Sequence, residues 1–146
     1  KDAFRYDDKV LVEKFIKGTE LTVPVLGNSN PAALPVIEIV PLVSSFFDYK
    51  AKYADRGSDE IVPARISLQL TKQLQVLALK AHVALGCRGL TRSDFIVDKN
   101  GDVYFLELNT IPGMTPASLV PKSAKAAGIS YQQLLDMLIK LARQKD

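Results

Sequence analysis

Asp94, Glu107 and Asn109 carry the hard oxygen donors that a divalent cation takes, and Arg92 stands two residues before Asp94. The segments bearing them, residues 92–97 and 104–109, are apolar-rich and flank Asn100-Gly101. Asn-Gly between two such segments signals a β-hairpin, because both central residues of a type I′ turn take positive φ. With Asn100 and Gly101 as the loop, Lys99 faces Asp102, Asp94 faces Glu107 and Arg92 faces Asn109. Side chains alternate with period 2, so these last four residues share one face. Phe95, Val97, Tyr104, Leu106 and Leu108 fall on the other, which suits a core. Carboxylates directly opposite each other repel. Such a pair is stable as a solvated acidic face or with a cation between the acids, and phosphate oxygens commonly complete a Mg²⁺ shell. The Arg, the Asn and a turn containing Gly113 favour the cation. An EF-hand is excluded: its Gly comes sixth after the first Asp, whereas Gly101 comes fourth.

The elements that must position this hairpin are read from periodicity. Residues 10–16 read as a strand, Lys17-Gly18 as a turn, and residues 20–26 as a second strand whose Pro24 predicts an edge or a bulge. After a turn over residues 27–31, residues 34–40 read as a third strand, making an antiparallel meander. Residues 41–63 show no period but hold Phe46, Phe47, Tyr49 and Tyr53, which predicts a long loop with the character of a lid. Over residues 67–85, Leu70, Leu74, Leu77, Ala81 and Leu85 recur at helical spacing, and Gly86 ends the pattern. A helix over residues 118–127 stops at Gly128. Ser130 with Gln133 forms a capping box for a last helix that buries Leu134, Leu138 and Leu141. This layout is α+β, with helices packed on an antiparallel sheet.

Composition narrows the function. Charge is balanced, with 19 Lys+Arg against 16 Asp+Glu, and no basic block invites nucleic acid or a membrane surface. The single Cys87 builds neither a disulfide framework nor a zinc site and fits a reducing compartment. The single His82 lies in a helical pattern and reads as a helix-surface or packing residue, so Ser-His-Asp chemistry has no support. No stretch is apolar enough to span a membrane. The chain starts on Lys1 without an initiator Met, which predicts a piece of something longer.

Several motifs carry a resemblance. They are Gly86-Cys87-Arg88-Gly89-Leu90-Thr91-Arg92-Ser93-Asp94, Leu106-Glu107-Leu108-Asn109-Thr110-Ile111-Pro112-Gly113-Met114-Thr115 and Ser118-Leu119-Val120-Pro121. The opening Val10-Leu11-Val12-Glu13-Lys14-Phe15-Ile16-Lys17-Gly18 with Glu20, and Phe47-Asp48-Tyr49-Lys50-Ala51-Lys52-Tyr53, extend it over essentially the whole chain. In order and spacing they resemble the D-alanine–D-alanine ligase family of the ATP-grasp superfamily.

The resemblance implies an ATP-grasp C-terminal domain over residues 1–146, with the N-terminal domain and part of the central domain outside them. It implies ATP and two Mg²⁺ (or Mn²⁺) ions held by Asp94, Glu107 and Asn109. Arg92 and the Gly113 N–H would stabilise the acyl-phosphate and the tetrahedral intermediate. Ser118 and Leu119 would anchor the carboxylate of the second D-alanine. Glu13, Lys14, Phe15, Ile16 and Leu106 would surround adenine, Glu20 would hold the ribose hydroxyls, and Lys52 and Tyr53 would close on phosphate and substrate. Tyr53 points to a dipeptide product rather than an ester. The implied setting is cytoplasmic peptidoglycan synthesis by a full-length homodimer, and the 146 residues alone are expected not to ligate D-alanine. Two other readings share the acidic set: a different ATP-grasp carboxylate–amine ligase, and a non-catalytic Mg²⁺/nucleotide-binding module.

Overall fold

A computed structural model describes residues 2–41 and 58–144. A short 3-10 helix, Ala3–Arg5, opens the chain. The strands are β1 Gly18–Leu26, β2 Ala32–Ala33, β3 Ile37–Pro41, β4 Ser58–Ile61, β5 Leu90–Asp98 and β6 Val103–Asn109. They form one sheet, ordered β4-β3-β1-β5-β6, with β2 also pairing β1 and every described pair antiparallel. Helices α1 Leu68–Ala84, α2 Leu119–Ala126 and α3 Tyr131–Arg143 complete the α+β layout.

β1 is the spine. Leu21, Val23 and Val25 alternate onto one face and pack with Phe95 and Val97 of β5 against Leu74 and Ala78 of α1. His82, one turn further along α1, is fully buried and its Nδ1 lies 2.8 Å from the Thr91 hydroxyl. Burial pushes its pKa down, so the ring packs as the neutral form, which is the packing rather than the helix-surface role of the two the sequence allows. The buried stripe of α1 is Leu74, Ala78 and His82; Leu85, expected on the apolar face, is largely exposed. A second cluster joins Leu26, Leu34 and Leu90 to Val120 and Ala124 of α2 and Leu134 of α3, with Leu138 and Leu141 packed against it. The Ser130–Gln133 capping box is present at the start of α3.

Four sequence expectations change. Residues 10–16 lie outside the sheet as non-helical chain, with Leu11 and Val12 strongly exposed. A local apolar pattern favours extended backbone, but a strand also needs a neighbour to take its hydrogen bonds. Pro24 sits in the central strand rather than at an edge. Its missing N–H is tolerated because β1 changes partner there, from β3, whose pairing ends at Thr22, to β2, whose pairing begins at Val25. Residues 41–63 contain β4, whose Asp and Glu mask its strand character. Residues 42–57 of the expected loop, with Phe46, Phe47, Tyr49, Lys52 and Tyr53, fall outside the described residues.

The hairpin turn also differs. Asp98, not Lys99, faces Asp102, its N–H bonding the Asp102 carbonyl at 3.1 Å. The loop is Lys99-Asn100-Gly101, with Gly101 at φ 87°, the three-residue turn that places one residue in the left-handed region. The Asp98 carboxylate caps it by accepting from the N–H groups of Asn100 and Asp102.

Glu38 on β3 is nearly buried and accepts from the Arg65 backbone N–H and from both Nε and Nη2 of its guanidinium, at 2.7–3.1 Å. The guanidinium hydrogen bonds hold the Glu38 pKa below its ordinary value. A depressed folded pKa stabilises the fold above the unfolded pKa and loses that contribution as pH falls through the folded one. Glu38→Gln therefore flattens the acid limb of a thermal-stability profile, and Arg65→Met lowers the midpoint of chemical denaturation at pH 7.

Candidate functional site

The face of the sheet opposite α1 carries the acids. Thr22 on β1 faces Asp94 on β5, and Asp94 faces Glu107 on β6, with Arg92 facing Asn109 beside them. The expected cross-strand pairs are therefore present, although the loop is one residue longer than a two-residue turn. A β-bulge restores them. Phe95 pairs with Phe105 while Asp94 pairs with Glu107, so Leu106 is the extra residue of β6. The bulge also revises which side chains meet the core. Val103 and Phe105, rather than Tyr104 and Leu106, pair with Val97 and Phe95; the Phe95 and Phe105 rings meet edge-to-face at 5.4 Å. Leu106 is half exposed and borders the acids.

These groups open into a cavity of about 670 Å³. Its lining brings together Glu13, Glu20, Arg92, Asp94, Leu106, Glu107, Asn109 and Leu119, all expected from the sequence. It adds Glu60 and Ser58 from β4 and Ile39 from β3, which sequence reasoning missed. Lys14, Phe15 and Ile16 are not among the lining residues, and Lys52 and Tyr53 lie outside the described ones.

Arg92 grips Asp94 with both edges of its fork: Nε donates to Oδ1 at 2.9 Å and Nη2 to Oδ2 at 2.8 Å. That pair raises the Arg92 pKa further, so the guanidinium stays charged. Thr22, fully buried, donates its hydroxyl to Asp94 Oδ1 and also lies 3.1 Å from the Ser93 carbonyl. Asn109 Nδ2 lies 3.4 Å from Glu107 Oε1. No sequence signal pointed to Thr22, because its partner is 72 residues away.

Ser118 occupies the N-cap position of α2, yet its side chain does not cap the helix. Its Oγ instead accepts from the Thr115 N–H at 3.1 Å and lies 2.8 Å from the Thr115 hydroxyl. Gly113 sits against the Ser118 hydroxyl. A Cβ there would come within 3.1 Å of Ser118 Oγ and press on it by a few tenths of an ångström. Gly113 and Ser118 lie in the loop leading to Leu119, beside the cavity rather than in its lining.

The cavity's charge defines its chemistry. Among the described lining residues are five carboxylates, Glu13, Glu20, Glu60, Asp94 and Glu107, and one cation, Arg92. Such a wall repels an anion unless cations enter with it. No cluster of three His, Cys, Asp or Glu side chains poised for a metal occurs among the described residues. The donor set is two carboxylates and an amide oxygen, which suits a hard cation that keeps water or phosphate oxygens in its shell.

Residues 1–140 match the model of the family described as D-ala D-ala ligase C-terminus. A D-alanine–D-alanine ligase of Pelotomaculum thermopropionicum is 51% identical over 142 residues, covering 97% of this chain and 44% of that protein. The structure of the D-alanine–D-alanine ligase of Coxiella burnetii superposes with a TM-score of 0.81 at 38% identity, over 97% of this chain and 36% of that one. The Bacillus anthracis ligase complexed with ATP gives a TM-score of 0.73 at 38% identity, over 89% of this chain and 40% of that one. The chain thus spans less than half the length of these relatives, and the expected antiparallel sheet with packed helices is their fold. With nearly its whole length matched and its face of acids in the expected register, the chain belongs to the D-alanine–D-alanine ligase C-terminal family.

Proposed function

We propose that this chain supplies the phosphate- and metal-handling part of an ATP-dependent enzyme that joins two D-alanines into D-alanyl-D-alanine for peptidoglycan synthesis. The observation that carries the reading is Asp94 directly opposite Glu107 in a cavity whose described lining holds five carboxylates and one Arg. Asp94, Glu107 and Asn109 would hold Mg²⁺ or Mn²⁺, which when bound neutralises ATP phosphate oxygens.

The chain's other groups position and stabilise. Glu20 receives the ribose hydroxyls, Leu106 and Glu13 border adenine from the cavity lining, and Lys14, Phe15 and Ile16 join them on the strength of the family motif. The carboxylate of the first D-alanine attacks the γ-phosphorus and ADP leaves, giving an acyl-phosphate. The amine of the second D-alanine then attacks the acyl carbon, loses a proton, and phosphate departs. Arg92, fixed in direction by Asp94, faces the negative charge that grows on the acyl-phosphate and in the tetrahedral intermediate. The Gly113 N–H is its partner, and Ser118 and Leu119 hold the second carboxylate at the start of α2. Lys52 and Tyr53 complete the set on the strength of the family motif, with Tyr53 favouring the dipeptide over an ester. Catalysis of this kind rests on positioning and charge neutralisation.

The test is phosphate release by the intact protein with Mg-ATP and D-alanine, with the dipeptide identified by mass spectrometry. ATP hydrolysis that ignores D-alanine would favour the nucleotide-binding module instead. The 146-residue polypeptide assayed alongside is expected to give no turnover.

Thr22 supplies a sharper check on the metal. Thr22→Val keeps shape but removes the hydroxyl that orients Asp94, and outer partners of this kind are worth about tenfold in metal affinity. Mn²⁺ titration followed by electron paramagnetic resonance should show that loss in Thr22→Val and near-normal binding in Thr22→Ser.

A further inference from the structure

We infer that Lys122 is a positioning residue for the second amino acid: by pairing with Glu60 it removes a repelling charge from the cavity wall beside the start of α2. The inference rests on the ligase reading above, and no motif of the sequence pointed to either residue.

Glu60 lies on β4 and lines the same cavity as Leu119, Asp94 and Glu107. It takes no part in the facing-acid set. Lys122 is one helical turn beyond Ser118, so the two share a face of α2, and helical side chains lean toward the N-terminus. The Lys122 ammonium therefore reaches back along the helix, and it forms an ion pair with Glu60 Oε2. The two side chains are 40% and 22% exposed, so the pair is only partly screened by water.

The rest of α2 is fastened from its other side. Val120 and Ala124 are fully buried, and the Ser123 hydroxyl donates to the Pro35 carbonyl at 2.6 Å. The Lys122–Glu60 pair is thus a tie on the cavity side of a helix already anchored in the core. Its removal changes charge and placement at the cavity more than it changes the fold. Metal ions drawn to Asp94, Glu107 and Asn109 would offset those acids, but Glu60 stands on a different strand and is offset by Lys122. Without Lys122, the Glu60 carboxylate faces the incoming amino-acid carboxylate uncompensated.

The expected result in steady-state kinetics of the intact protein is asymmetric. Lys122→Met raises KM for D-alanine at the second site about tenfold, the scale of one partly screened charge near a partly buried site, while kcat stays within about twofold. Lys122→Arg keeps the wild-type KM. The double variant Glu60→Gln/Lys122→Met regains most of the lost affinity, because the repelling charge is gone as well. Thermal midpoints measured on the same samples should rank the double variant no higher than Lys122→Met if packing alone matters, and that ranking together with an unrescued KM would overturn the inference. An unchanged KM in Lys122→Met would overturn it alone. Wild-type protein that releases no phosphate in response to D-alanine would overturn the ligase reading and this inference together.

Discussion

In the intact ligase proposed above, Glu107→Gln should abolish most turnover: kcat/KM for Mg-ATP is expected to fall on the order of 10³-fold, with the fold intact. The substitution is nearly isosteric and sits on a half-exposed strand, so little packing is lost. What disappears is one of two facing negative charges. Removing it relieves the repulsion between Glu107 and Asp94, so the apo protein should be as stable as wild type or slightly more so. Stability unchanged or improved while catalysis collapses is the signature of a site held in a costly arrangement for function. Paired melting curves and initial rates, with Mn²⁺ stoichiometry as the independent readout, check it. A fall of less than tenfold in rate would mean that the facing acids are ornament on a solvated sheet.

Arg92→Lys should cost about 10²-fold in kcat, although it keeps the positive charge. The guanidinium binds both oxygens of Asp94 and thereby holds a fixed direction over the cavity; an ammonium offers one point of charge on a flexible stem. Loss of a preorganised donor aimed at developing charge typically costs 10²–10³-fold. KM for ATP should move far less than kcat, which pre-steady-state quench kinetics can separate. Since the Asp94 partnership raises the Arg92 pKa, no inflection of the rate–pH profile should belong to Arg92 in the working range. Equal effects on KM and kcat would instead make Arg92 a simple substrate anchor.

Much of the site was legible because it depends on the shortest-range rule in β structure. Alternation with period 2, plus one turn signal, places Asp94, Glu107, Arg92 and Asn109 on a common face. The expected pairs are present because two local irregularities offset each other: the loop is three residues rather than two, and Leu106 is extra in β6. Core positions such as Tyr104 and Leu106, which lie beyond only one of the two irregularities, were misplaced. Residues 10–16 were misread because pattern reports preference for extended backbone, whereas a strand exists only with a neighbour. β4 was missed for the opposite reason: it pairs with β3 despite a sequence poor in strand formers. Thr22–Asp94, Glu60–Lys122 and Glu38–Arg65 join residues 72, 62 and 27 apart, and nothing local records such pairs.

The compensation inside the β5–β6 ribbon has a consequence for how its length can vary. Residues added at the tip, around Lys99-Asn100-Gly101, lengthen the loop and leave the pairing below it alone. Deleting the single residue Leu106 removes the bulge and leaves Phe95 opposite Phe105 and Asp94 opposite Glu107 in an unbroken ladder, whereas a residue inserted beside Leu106 carries Glu107 one step past Asp94 unless the bulge widens to hold both. Natural or engineered variation in this ribbon should therefore be permissive at its end and toward loss of Leu106, and intolerant of a residue added at its middle, where a second surplus position would part the two acids.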